Sequence, residues 1–186
     1  MNEEELIPLL TGPFHADFAD TLAARVREAG ALDALYAAAT SRHESLSPPM
    51  RHRALFRSAY VLDRIFFADP DLFAPFAATF CHDGFAACTD PSARRHLTKI
   101  MAALLVGGYS PPEEDMERIA AAAAEWAVDP AAKVAVRIGA VEVLRACRGR
   151  VDWVEEVWED LLETLALDAT PGIDCRMRKR WKARPE

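Results

Sequence analysis

The chain has 186 residues, enough for one domain or one short repeat array, and 51% of them are hydrophobic, which is ample for a core. Alanine is abundant, glycine is scarce and β-branched residues never form a run, a mixture that favours helix because alanine loses no side-chain entropy there. The formal charge of −7 is uneven: six basic residues against two acidic ones from Pro171 onward leave −11 on residues 1–170, which disfavours a broad nucleic-acid footprint but leaves room for a local one.

The opening Met1-Asn2-Glu3-Glu4-Glu5 is acidic where a secretory signal would be basic and then apolar. No segment approaches the ~20 apolar residues needed to cross a bilayer. A cytoplasmic protein without membrane association is expected. In that reducing setting Cys81, Cys88, Cys147 and Cys175 should be free, buried thiols.

Helices are expected at about 14–29, 31–41, 49–68, 71–82, 91–106, 112–128, 131–148, 152–167 and 172–182. Phe14, Phe18, Leu22 and Val26 fall four apart in the first. Later starts are punctuated by a small polar residue and proline: Ser47-Pro48-Pro49, Asp69-Pro70, Asp90-Pro91, Ser110-Pro111-Pro112, Asp129-Pro130 and Thr170-Pro171. The polar residue suits the N-cap, and proline suits the next position, where its missing N–H is not needed. Ser110 with Glu113 has the spacing of a capping box, and so does Asp152 with Glu155. Met116, Ile119, Ala120, Ala123 and Trp126 follow a helical stripe, as do Val154, Trp158, Leu161 and Leu165.

The starts near 49, 91 and 130 are about 40 residues apart, the spacing of a helical repeat. The stretch from Asp129-Pro130 through Val136-Arg137, Ala140 and Val143-Leu144 resembles a helix of the HEAT repeat. Asp90-Pro91 with Arg94, Arg95 and Leu104-Leu105 is a degenerate copy, and Ser47-Pro48-Pro49 with Arg57, Val61 and Leu62 a weaker one. The resemblance implies an all-α fold: a short right-handed superhelix of HEAT-like (armadillo-type) hairpins, with about eight or nine helices in one domain, 1–186. Residues 1–45 would be N-terminal capping helices, 47–170 about three repeats, and 171–186 a basic capping helix. A non-repetitive helical bundle is the alternative. Over residues 45–182 the chain is also similar to small bacterial HEAT-like proteins of unknown role, some of which carry an adenylosuccinate lyase label. The serine-bearing loop and signature of those lyases have no counterpart here, so lyase activity is not expected.

Cys81, His82, Cys88 and His96 lack the regular spacing of a zinc site, and no metal or cofactor is expected. Phe66, Phe67, Phe73, Phe76, Phe80 and Phe85 suggest packing within a hairpin, or else a ligand pocket. Trp153 and Trp158 are five apart, so both cannot sit centrally on one stripe, and one should reach a surface. Arg53, Arg57, Arg64, Arg94, Arg95, Lys99, Lys133 and Arg137 form a basic ladder that either pairs with Asp63, Asp90, Asp129 and Glu142 or lines an anion-binding stripe. The run from Arg176 to Lys182 is a capping helix or an anion-binding tail. There is no Gly-rich phosphate loop, no Gly-x-Ser-x-Gly elbow and no His-Glu-x-x-His, and no catalytic residue is assigned. The expected function is therefore non-enzymatic binding of a protein or peptide, with Arg57, Arg95, Lys99, Arg137, Trp126 and Trp153 as candidate partner-binding residues. Two alternatives remain. One is nucleic-acid binding of the kind implied by a resemblance to HEAT-like DNA alkylation repair glycosylases, and the other is an unrecognised enzyme or small-ligand carrier.

Overall fold

The computed structural model describes residues 1–181. Those residues are all-helical, with no strand among them. No helix among them is long and apolar enough to cross a membrane. They form two compact units: residues 1–80 with 87–97, and residues 81–86 with 98 onward. The division falls inside one helix.

The first unit opens with a helix that periodicity did not predict, α1 (Glu3–Thr11). Its start is a reciprocal capping box, in which the Glu5 N–H donates to Asn2 Oδ1 at 2.9 Å and the Asn2 N–H donates to Glu5 Oε2 at 3.0 Å. Leu6 and Leu10 bury completely. Next come α2 (Phe18–Glu28) and α3 (Leu32–Thr40). Phe18, Leu22 and Val26 point inward as the four-residue spacing requires, but Phe14 lies outside the helix and is 55% exposed. The longest helix, α4 (Pro48–Ala68), begins at its proline with Ser47 in the N-cap position. After Asp69 the expected helix at 71–82 does not form. Pro70–Phe76 is a 3-10 stretch with Pro75 inside it, followed by one α-turn, α5 (Ala77–Thr79), and a π-turn at Phe80–Gly84. A proline at that position cannot donate an intrahelical bond. Phe73 fills the interior against Phe66, Phe76, Phe80 and Tyr36, with centroids 5.4–6.2 Å apart. Phe67 is exposed.

Asp90 caps a turn rather than the helix itself: its Oδ1 accepts from the N–H groups of Ser92 and Ala93. The helix α6 (Arg94–Val106) follows and carries the chain into the second unit. Ser110-Pro111-Pro112 also delays its helix. Pro112 is extended (ψ 152°), α7 (Glu113–Val128) starts after it, and the expected Ser110–Glu113 box is absent from the bonds at that start. Asp129 Oδ1 accepts from the Ala131 N–H, and α8 (Val134–Cys147) begins three residues later than expected.

α7 and α8 make the central hairpin of this unit. Met116, Ile119, Ala120, Ala123 and Trp126 are all buried, facing an inner side of α8 that includes Val136, Ala140, Val143, Leu144 and Cys147. The helix expected at 152–167 breaks at Val157 into α9 (Asp152–Glu156) and α10 (Trp158–Leu167). Thr170 then caps α11 (Pro171–Arg176), which runs into a π-turn at Met177–Trp181. Glu142 on α8 holds this end: Arg176 Nη1 and Trp181 Nε1 donate to its Oε1 at 3.1 and 3.2 Å, and Arg180 lies at 3.8 Å. Lys182, the last residue of the expected helix, lies outside the described residues.

One glycine decides how close α6 and α8 come. A Cβ at Gly139 would stand 2.2 Å from Thr98 Oγ1 and 2.8 Å from its Cβ. Gly→Ala within a helix ordinarily stabilises by up to about 1 kcal/mol. Here Gly139→Ala should instead destabilise by about 1–3 kcal/mol through overpacking. Urea unfolding checks the sign, and adding Thr98→Ala should restore most of the loss.

Candidate functional site

The six residues singled out from the sequence divide between the two units, Arg57 and Arg95 in the first and Lys99, Trp126, Arg137 and Trp153 in the second. Arg57 is only 8% exposed, and its Nη1 donates to the carbonyls of Leu10 and Gly12 at 2.9 and 2.7 Å, closing the C-terminal end of α1. Its guanidinium also lies 5.2 and 5.4 Å from the ring centroids of Phe14 and Phe18. Arg137, 6% exposed, does the same for α7: its Nε donates to the Ala127 carbonyl at 3.1 Å. Its two Nη atoms grip the Asp168 carboxylate, each at 3.0 Å. Trp126 is 2% exposed and packs on Phe85 with ring centroids 4.8 Å apart, which removes it from any partner-facing surface. Arg95 and Lys99 are exposed on α6, each engaged in interactions of its own. Trp153 is half-buried, and Trp158 is buried, as their five-residue spacing predicted.

Arg94 Nε donates to the Cys88 carbonyl at 3.0 Å, so the inward arginine of this segment is one position before Arg95. Asp63, Asp90, Asp129 and Glu142, the acids weighed as partners of the ladder, also carry other bonds. Asp63 accepts from His96 Nδ1 at 2.9 Å, Asp90 takes His52 Nδ1 and its own turn, and Asp129 caps. Within the ladder, Arg57, Arg94 and Arg137 are bound to carbonyls, and Arg64 and Arg137 to the carboxylates of Asp20 and Asp168.

Histidines and thiols are similarly committed. His52, Phe56 and Tyr60 stack along one face of α4, with His96 against Phe56 and Tyr60. His82 Nδ1 donates to Asp115 at 3.0 Å. Burial pushes the Cys81 and Cys147 thiols up to about 12 and Cys88 up to about 11, which keeps them protonated and unreactive. Cys175 is exposed, contrary to expectation. Among the described residues no three metal-ligating side chains gather.

A surface feature with binding character lies in the second unit. A groove of about 390 Å³ runs between the C-terminal half of α7 and the α9–α10 pair. Leu144, Val154 and Leu161 form its floor; Ala124, Val128, Trp153, Val157 and Thr164 form its walls; Glu125 and Asp160 stand in its lining. Val128 and Val157 are 44% and 40% exposed, unusual for valines that could have been placed inward. Trp153 is held in place because its Nε1 donates to Glu117 Oε2 at 2.7 Å. The break at Val157 turns that side chain off the buried stripe and into the groove. The sequence signals available were the Trp153–Trp158 spacing and apolar residues off the inward periodicity. The chain matches no protein-family model, no curated protein and no solved structure.

The Arg137–Asp168 pair shapes the acid response of this unit. The hydrogen bonds from Arg137 hold the Asp168 carboxyl below its ordinary value. A carboxylate depressed in the folded state contributes stability above its unfolded pKa of about 3.9 and loses it as pH falls through the lower folded value. Urea midpoints measured at about pH 5 and pH 3 should therefore fall less in Asp168→Asn than in the wild type.

Proposed function

We propose that this chain is a non-enzymatic scaffold of HEAT-like helical hairpins that binds a protein or peptide through the groove between α7 and α9–α10, in the reducing cytoplasm. The single observation that carries the reading is the groove itself: an apolar trough with a pinned tryptophan and two half-exposed valines on its walls. Apolar grooves with aromatic anchors are where binding energy concentrates.

The repeat reading draws support from the arginines. Arg57 and Arg137 sit in helices about 80 residues apart, two repeat lengths, and each donates to carbonyls at the end of another helix. Arg94 donates to a carbonyl in between. Such recurrence suits stacked hairpins, whose equivalent positions repeat equivalent contacts. Four unpaired cysteines suit a reducing compartment.

The same geometry weighs against nucleic acid. Arg57, Arg137 and Trp126, three of the six candidate partner-binding residues, are buried. The trough is bordered by carboxylates, which repel phosphate.

A photo-crosslinking benzophenone residue at position 157, compared with one at exposed position 179, tests the reading in cell extract. A discrete protein adduct at 157, absent at 179 and unaffected by nuclease, is the expected result. Adducts that contain nucleic acid, or that form equally at both positions, would contradict it.

A further inference from the structure

The lining of the groove also indicates what kind of segment enters it. From Val151 to Thr170 the chain carries seven acidic residues and not one lysine or arginine. The facing helix α7 adds five acids against Arg118 alone. Some of this charge is neutralised internally: Arg118 takes Glu114 and Asp115, Arg148 takes Glu155, and Arg137 takes Asp168. Glu125 and Asp160, the two acids in the lining, form no ion pair among the described residues. Like charges left unbalanced on both sides of an apolar trough are stabilised by a partner bringing the opposite sign.

The shape narrows the partner further. Two helices flank the trough, and a third helix packs into such a furrow by fitting its ridge of side chains between theirs. α10 has 10 residues and so spans about 15 Å. That length accommodates anchors at i, i+3 or i+4, and i+7, which rise about 10 Å along a helix.

We propose that the occupant is a basic amphipathic helix: two or three aliphatic side chains enter between Val128, Trp153 and Val157, and flanking Lys or Arg residues meet Glu125 and Asp160. This inference rests on the groove being the binding surface. Leucine anchors gain the hydrophobic energy of burial there, and cations on either side of the apolar stripe fix orientation and speed encounter.

Three designed helical peptides without tryptophan serve as probes, each with leucine on one face and lysine, glutamine or glutamate on the other. Three of the four tryptophans, Trp126, Trp158 and Trp181, are 2% exposed or less, so a change in intrinsic fluorescence reports on Trp153. Saturable binding is expected for the leucine–lysine helix, weakening by about tenfold or more in the double variant Glu125→Lys, Asp160→Lys and with the leucine–glutamate helix. Val157→Gln, which changes no charge, should weaken it as well. All substituted sites are on the surface, and unchanged unfolding midpoints confirm that the variants fold.

Equal binding of all three helices, each sensitive to Val157→Gln, overturns the basic-partner assignment and leaves the groove reading standing. Leucine–lysine binding indifferent to Val157→Gln places the peptide elsewhere and overturns the proposal. No response at Trp153 to any helix, with light scattering showing the groove open in a monomer, overturns the groove reading as well. Occlusion of the groove by a second copy of the chain likewise overturns the assignment.

Discussion

The second unit is organised around one buried guanidinium. Arg137 lies on α8, bonds the last turn of α7 through the Ala127 carbonyl, and grips Asp168 where α10 ends. A single planar cation thus ties three helices at one point. Its fork geometry allows it, since a lysine has one compact charge and cannot satisfy a carbonyl and both carboxylate oxygens in fixed directions. The carbonyl is one of those left unpaired at a helix terminus, and burial without a partner would be costly. Because α7 and α10 are the sides of the groove, its width follows from this clamp.

The clamp also explains why charge and recognition part company. A buried arginine stays charged and is costly unless its donors are used, so residues that look available for an anionic ligand in a linear sequence are spent on backbone carbonyls and carboxylates. Arg57 makes the same point in the first unit, where it closes α1 and stacks against Phe14 and Phe18. Arg176, Arg180 and Trp181 likewise converge on Glu142. The groove between α7 and α9–α10, by contrast, is apolar and bordered by acid.

Helical class and most inward faces were legible because periodicity is set by burial, and burial is what the sequence records most strongly. The stripes Met116–Trp126 and Val154–Leu165 are buried residue for residue. Starts were legible only in part. Ser47-Pro48 and Thr170-Pro171 open helices where expected, but Asp90-Pro91 and Asp129-Pro130 open turns whose side-chain bonds serve the turn first. An Asp-Pro pair satisfies either geometry, and only tertiary packing chooses between them. α1 was missed because its evidence is a polar box, Asn2 with Glu5, rather than a long stripe. The candidate site fared worst. A side chain's periodicity says that it faces inward but not whether its charge is consumed there, so Arg57, Arg137 and Trp126 read as surface chemistry. The groove depends on the break at Val157, a backbone event with no proline or glycine to announce it.

The buried arginines hold the fold, while Val157 on the groove wall contributes little to it. Denaturant unfolding of Arg137→Met beside Val157→Gln addresses this most directly. The account predicts a loss of about 1–3 kcal/mol for Arg137→Met, from the unpaired carbonyl and the lost charge-assisted bonds. For Val157→Gln it predicts a change within about 0.5 kcal/mol, as at other surface sites. A neutral Arg137→Met together with a destabilised Val157→Gln would contradict it, making the valine part of the core and returning the arginine to the surface.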